Sequence, residues 1–203
     1  MTNLLVVTSS PKSGGSVTGD LAERFVASIE ADTGIVQTRR DVGINPPPHL
    51  DETTIGAFYT PEDQRTPEQV DAVKLSDELV AEVEAADIIV IGSPMHNFGV
   101  SSALKTWIDH IARVGKTFHY TEGGPEGLLG GRKVFVLGAR GGDYSDSSPA
   151  HAMDQQEPYL KTVLGFMGLT DVTFIHAEGV AMGGDGVLNA NLAVESAAHA
   201  LAA

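Results

Sequence analysis

The sequence predicts a doubly wound α/β fold: one domain over residues 1–203, built on a five-stranded parallel sheet with helices on both faces. Two observations carry this reading. Short β-branched apolar runs recur at Leu4 to Val7, Ile35 to Thr38, Ile88 to Ile91, Val134 to Leu137 and Val172 to Ile175, with segments of helical periodicity between them. Such alternation demands parallel pairing, because each helical crossover returns the chain across the sheet before the next strand begins. The runs are also apolar almost without a break, as strands covered on both faces are.

The elements follow in order. The first strand feeds the loop Thr8-Ser9-Ser10-Pro11-Lys12-Ser13-Gly14-Gly15-Ser16-Val17-Thr18-Gly19, then a helix with Leu21, Phe25, Val26 and Ile29 on one face. After the second strand, Pro46-Pro47-Pro48 and the segment from Thr60 to Pro67 form an excursion longer than ordinary connections. The next helix carries Val70, Val73, Leu79, Val80 and Val83. The third strand leaves through Gly92-Ser93-Pro94-Met95-His96-Asn97-Phe98-Gly99 into a helix that starts near Ser101, with Leu104, Trp107, Ile108 and Ile111 at i, i+3, i+4, i+7. That stripe places Trp107 in the core or a dimer contact, and His110 on a solvated face. The fourth strand leaves through Gly138-Ala139-Arg140-Gly141-Gly142-Asp143-Tyr144, followed by a helix with Tyr159, Leu160, Val163, Leu164 and Met167. An alanine-rich tail from Asn191 supplies the fifth helix after the fifth strand.

Composition removes several function classes. The chain has 203 residues, 42% of them hydrophobic, enough for one substantial core. Its 13 basic and 27 acidic side chains give a formal charge of -14 with no Lys/Arg-rich run, which argues against nucleic acid and anionic membranes as partners. With no cysteine there is no disulfide, thiolate nucleophile or sulfur-ligated metal, so a redox role requires a cofactor. The seven histidines form no pair or His/carboxylate set with metal-ligand spacing. The Leu4 to Val7 run is too short for a signal-peptide core and no segment approaches a membrane span, so the expected location is cytoplasmic.

In doubly wound sheets, ligands bind beyond the carboxyl ends of the strands, where the strand order reverses. The loops after strands one, three and four therefore frame the candidate site. In the first, helix N–H groups converge near Ser16 to Thr18 beside several hydroxyls, an arrangement that favours an anion. Asp20 follows Gly19 where a nucleotide P-loop needs lysine, and Ser16 replaces the middle glycine of the dinucleotide fingerprint. What remains suits a single terminal phosphate, as on FMN; the same residues would also make a solvated helix cap. Pro94 to Phe98 offer a slot for a flat ring, with Gly99 letting the backbone turn beneath it, or else a proline-stiffened turn that seals the core. Arg140-Gly141-Gly142 would present successive N–H groups to a ring edge, or form an ordinary left-handed turn with Arg140 in solvent.

Taken together these residues resemble a family, the FMN-dependent NADH-azoreductases and their flavodoxin-like NAD(P)H quinone reductase relatives. The resemblance runs over nearly the whole chain. It rests on Ser9-Ser10 with Ser16-Val17-Thr18, the Pro94 to Gly99 loop, Lys105-Thr106-Trp107-Ile108-Asp109, Lys116-Thr117-Phe118-His119-Tyr120-Thr121 and Arg140-Gly141-Gly142. It implies non-covalent FMN, with NADH or NADPH as co-substrate, and two-electron ping-pong reduction of quinones or azo compounds. Hydride would pass through FMN without a catalytic side chain. The implied contacts are Ser10, Ser16, Val17 and Thr18 to the phosphate, Met95, His96, Asn97 and Phe98 along the isoalloxazine, and Ala139, Arg140, Gly141 and Gly142 at its polar edge.

The resemblance also implies a homodimer with the site at the subunit boundary, where Phe118 and Tyr120 cover the flavin and the substrate; Phe118-His119-Tyr120 reads equally as a hairpin edge with alternating side chains packing down. Three departures stand out: His96 where the family usually has Tyr, Ala139 where a hydroxyl is frequent, and Val17 where Gln is frequent. Two other classes compete. A flavodoxin-type electron carrier shares the fold and the acidic surface, and a dinucleotide dehydrogenase would use Asp41 to hold a ribose. Arg39 and Arg40 face either a 2′-phosphate or solvent.

Overall fold

The computed structural model describes residues 1–30 and 34–202. Its elements are β1 (Thr2–Thr8), α1 (Val17–Glu30), β2 (Ile35–Asp41), α2 (Glu52–Tyr59), α3 (Pro67–Ala85), β3 (Ile88–Pro94), α4 (Ser102–Ile111), β4 (Phe118–Thr121), β5 (Gly124–Gly127), β6 (Lys133–Ala139), α5 (Gln156–Phe166), β7 (Asp171–Ala177) and α6 (Gly186–Ala202). Five strands form one sheet in the order β2-β1-β3-β6-β7, every neighbouring pair parallel. The chain goes from β1 to β2 on one side and returns to β3 on the other, so the order reverses between β1 and β3. That reversal opens the crevice at the carboxyl edge in which a ligand can sit.

The unbroken apolar runs are explained by the two cores. Leu4 and Val6 of β1 face Leu21, Phe25, Val26, Val194 and Ala198 of α1 and α6. Leu5 and Val7, pointing the opposite way, pack with Leu79, Val83, Trp107, Ile108, Leu160 and Leu164 of α3, α4 and α5. Each such side chain, fully buried, contributes roughly 1.5 to 3 kcal/mol.

Two elements differ from the sequence reading. The excursion after β2 contains α2, which lacks an apolar stripe: Thr54 and Ala57 are its buried residues, while Ile55 and Tyr59 are exposed. Its start is fixed locally, by Asp51 accepting from Thr54 N at 2.8 Å. The last helix begins at Gly186, ahead of the alanine-rich tail, because Ala190, Val194 and Ala198 already bury one face. The hairpin edge that Phe118-His119-Tyr120 allows is present: β4 and β5 form a separate antiparallel hairpin outside the main sheet.

Two side chains of α4 settle inside. Trp107 is core, 1% exposed. His110 is buried rather than solvated: the proline run lies over α4, and the ring Nε2 sits 2.9 Å from the Pro48 carbonyl. Among the described residues no helix is long and apolar enough to cross a membrane, and no group of His, Asp or Glu side chains is arranged to hold a metal ion.

Candidate functional site

The loop after β1 is held from below. Ser9 donates its hydroxyl to the Gly92 carbonyl at 2.8 Å, so it braces the loop against β3 instead of facing a ligand. Ser16 caps α1: its Oγ accepts from Gly19 N at 3.2 Å and lies 3.2 Å from Thr18 Oγ1. The N–H groups of Val17 and Thr18 have no intrachain acceptor among the described residues, and the positive end of the α1 dipole adds to them. Ser10 is buried and its peptide rests on Gly43, where a Cβ would lie 2.0 Å from the Ser10 carbonyl oxygen. Gly92 does the same for the helix start, since a Cβ there would meet the Thr18 carbonyl oxygen at 3.2 Å. Hydroxyls, free N–H groups and a helix dipole together suit a phosphate monoester.

The loop after β3 is a tight two-residue turn. Met95 N donates to the Ala139 carbonyl at 2.9 Å, and His96 and Gly99 exchange backbone bonds of 2.9 and 3.0 Å. Between them Asn97 and Phe98 have φ of 48° and 70°. The left-handed residues are thus Asn97 and Phe98, and Gly99, expected to make the turn, has no left-handed φ. Asn tolerates this region; Phe there costs about 1 to 2 kcal/mol, and such strain concentrates at functional sites. The strained residue is pinned by Gln155 N, which donates to its carbonyl at 3.0 Å. Tyr144 stands edge-on to its ring at 6.3 Å.

The loop after β6 corrects the expectation for Arg140. Its N–H donates to the Ala177 carbonyl at 2.9 Å, extending the pairing with β7, and so is not available to a ring edge. Its guanidinium is 2% exposed rather than solvated, and donates to Asp154 at 2.8 Å, Glu178 at 2.9 Å and Gln156 at 3.3 Å. The N–H groups of Gly141 and Gly142 remain without an intrachain acceptor among the described residues, in backbone that is not left-handed.

One cleft of about 390 Å³ brings Ser10, Ser16, Val17 and Thr18 together with His96, Ala139, Arg140 and Gly141. Met95, Asn97, Phe98 and Gly142 belong to the same loops but lie outside its lining. His96 also lines a neighbouring cleft of about 470 Å³ with Pro46 to His49. Val180 and Ala181, from the turn after β7, complete the first cleft. Sequence reasoning missed these two, although their position after the fifth strand puts them at the same sheet edge. It also missed Gly43, whose role is visible only from its close approach to Ser10.

Phe118 is buried at the root of the hairpin, its ring centroid 4.4 Å from that of Phe166. This leaves Tyr120, 68% exposed, as the member of that pair open to a ligand. Neither lines the cleft of its own chain.

Behind the β6 loop, burial holds the His176 imidazole below its usual value, and repulsion from Arg140 adds to this against the pull of Glu157. Burial of Glu157 is outweighed by bonds from Lys161 and His176, which leave its carboxyl below the ordinary range. Because His176 binds its proton more weakly folded than unfolded, its contribution to stability is complete above about pH 6.5. It is lost as the pH falls through the depressed folded value. Urea denaturation between pH 7.5 and 5 is expected to show a shallower loss of stability in His176→Gln than in the parent chain.

A family model described as the flavodoxin-like fold matches residues 2–201. The chain belongs to that flavodoxin-like family. An FMN-dependent NADH:quinone oxidoreductase from Herminiimonas arsenicoxydans is 52% identical over 190 residues, 92% of each chain. One of the same description from Dechloromonas aromatica (strain RCB) is 54% identical over 183 residues, 90% of each chain. The crystal structure of an FMN-dependent NADH-azoreductase from Bacillus anthracis str. Ames Ancestor in complex with FMN superposes with a TM-score of 0.91 at 28% identity, covering 100% of both chains. The flavodoxin-like member described here therefore shares its whole length with flavin-dependent reductases.

Proposed function

We propose that this chain is a single-domain FMN-dependent NADH:quinone oxidoreductase that also reduces aromatic azo compounds. The observation that carries the reading is the cleft at the β1/β3 reversal, which joins an anion cradle at the start of α1 to the free N–H of Gly141 after β6, with that of Gly142 next in the same loop. Relatives of that description at 52 and 54% identity over nine-tenths of their length support it. Bound FMN would supply two-electron transfer from NADH to the second substrate.

Every other role falls to the chain. Ser10, Ser16 and Thr18 and the N–H groups of Val17 and Thr18 hold the phosphate. Gly141 and Gly142 donate to the polar edge of the ring, and Met95 to Phe98 shape its bed. Val17 offers no side-chain donor where the related family often has Gln, so the cradle depends more heavily on backbone. A single open cleft receives the two substrates in turn, which gives ping-pong kinetics. In a homodimer, Tyr120 reaches the open side of the cleft across the subunit boundary, and the protein works in the cytoplasm.

The co-substrate is NADH in preference to NADPH. Arg39 is ion-paired with Glu23, and Arg40 with Glu78 and Glu82, so neither guanidinium offers a 2′-phosphate an unneutralised charge. The dehydrogenase alternative loses its ribose holder, because Asp41 Oδ1 accepts from Gly43 N at 3.1 Å and Ile44 N at 3.2 Å in a local turn. The acidic surface favours uncharged quinones over multiply sulfonated azo dyes, with a difference that narrows as salt rises.

Anaerobic mixing of the FMN-loaded protein with NADH tests the reading. Rapid bleaching of the flavin by NADH alone, followed by recovery on adding a quinone, is expected. Bleaching that requires a separate reductase would mark an electron carrier and overturn it.

A further inference from the structure

The β6 loop contains a cation that the proposed chemistry does not use. Arg140 is 2% exposed, yet its guanidinium faces Asp154, Glu178 and Gln156 and lies 3.0 Å from His176 Nε2 and 3.8 Å from Glu157. Three carboxylates around one guanidinium are an expensive way to fill an interior, and well-packed apolar side chains of similar volume often stabilise as much or more. What apolar packing cannot supply is direction.

The partners of Arg140 each control a piece of the candidate ring site. Glu178 uses its other oxygen to accept from Tyr144 N at 2.9 Å, closing the Gly141–Gly142 loop from its far end. Gln156 donates from Nε2 to Ser93 O at 2.9 Å and Ser93 Oγ at 3.0 Å, immediately before the Pro94 to Gly99 loop. Asp154 accepts from Gln156 N at 2.8 Å through its other oxygen and so fixes the start of α5. The neighbouring Gln155 N holds the carbonyl of the left-handed Phe98. A single planar donor therefore spans the loop after β3, the loop after β6 and the end of β7. Among the described residues, the phosphate cradle makes no hydrogen bond to this cluster.

We infer that Arg140 is a positioning residue: it fixes the Phe98 turn and the Gly141–Gly142 N–H groups relative to each other, and so sets the fit of the flavin ring but not of its phosphate. This rests on the FMN reading above. Lysine keeps the charge but lacks the fork, and cannot satisfy Asp154, Glu178 and Gln156 at once. Glutamine at 178 removes one charge and can accept from Arg140 or from Tyr144 N through only one oxygen.

The test is fluorescence titration of apoprotein with FMN and with riboflavin, for the parent chain, Arg140→Lys, Glu178→Gln and Ser16→Ala, with far-UV circular dichroism as the check on folding. Arg140→Lys is expected to raise both dissociation constants by about tenfold. The riboflavin-to-FMN ratio stays unchanged, and the visible absorption band of the bound ring shifts. Glu178→Gln does the same to a smaller degree and decides the matter should Arg140→Lys not fold. Ser16→Ala weakens FMN alone and so compresses that ratio. Folded variants at Arg140 and Glu178 that bind both flavins like the parent, with an unmoved band, would overturn the inference. So would a loss confined to FMN. Failure of the parent chain itself to bind FMN would instead overturn the proposed function.

Discussion

Gly43→Ala is expected to empty the protein of FMN and to lower its stability by about 3 kcal/mol. The new methyl would lie 2.0 Å from the carbonyl oxygen of Ser10, and 2.5 and 2.8 Å from its carbonyl carbon and its nitrogen, far inside van der Waals contact with backbone that has no rotamer to change. The chain after β2 is equally constrained there, because Val42 N and Gly43 N both donate to the Thr8 carbonyl, at 2.9 and 3.2 Å. Relief requires the Ser10 peptide to leave its seat, and the cradle for the phosphate goes with it. Urea denaturation and the absorbance ratio of bound flavin to protein measure the two effects. Gly165→Ala in α5, where a Cβ meets nothing within 4 Å, serves as the control and is expected to be neutral or slightly stabilising.

The second large effect is at Trp107, where truncation to Ala is expected to cost about 4 kcal/mol. The ring is 1% exposed, in the core that joins α3, α4 and α5 to the sheet. Its Nε1 is buried without a hydrogen-bond partner among the described residues. An unsatisfied buried donor costs roughly 1 to 3 kcal/mol, so Trp107→Phe should recover most of the loss: the smaller ring leaves some space but removes the stranded N–H. A Phe variant as unstable as the Ala variant in chemical denaturation would refute this account of the indole.

The sequence exposes some parts of this molecule more readily than others. The inner strands β1, β3 and β6 announce themselves because both faces are covered, which leaves Leu4 to Val7 or Ile88 to Ile91 apolar at every position, whereas the edge strands β2 and β7 are partly exposed. Ser16 to Thr18 are equally visible, since a hydroxyl cap before an apolar helical face is a local signal. The fate of Arg140 is not local. A basic residue before two glycines reads as solvent-facing, and only the folded position of Asp154, Gln156 and Glu178 turns it inward. Likewise α2 escapes a search for stripes because Ile55 and Tyr59, its largest apolar residues, are exposed. Sequence alone points to Gly99 for the turn after β3; two backbone bonds between His96 and Gly99 place Asn97 and Phe98 at its tip instead.

The sheet order has a consequence for synthesis on the ribosome. The strand that launches the anion cradle, β1, needs β3 beside it before the Ser9 hydroxyl can reach Gly92, and the ring bed is unfinished until β7 supplies the carbonyl of Ala177 and the carboxylate of Glu178. A growing polypeptide therefore stays colourless until β7 and Glu178 have been made and docked, although the residues of the anion cradle leave the ribosome among the first.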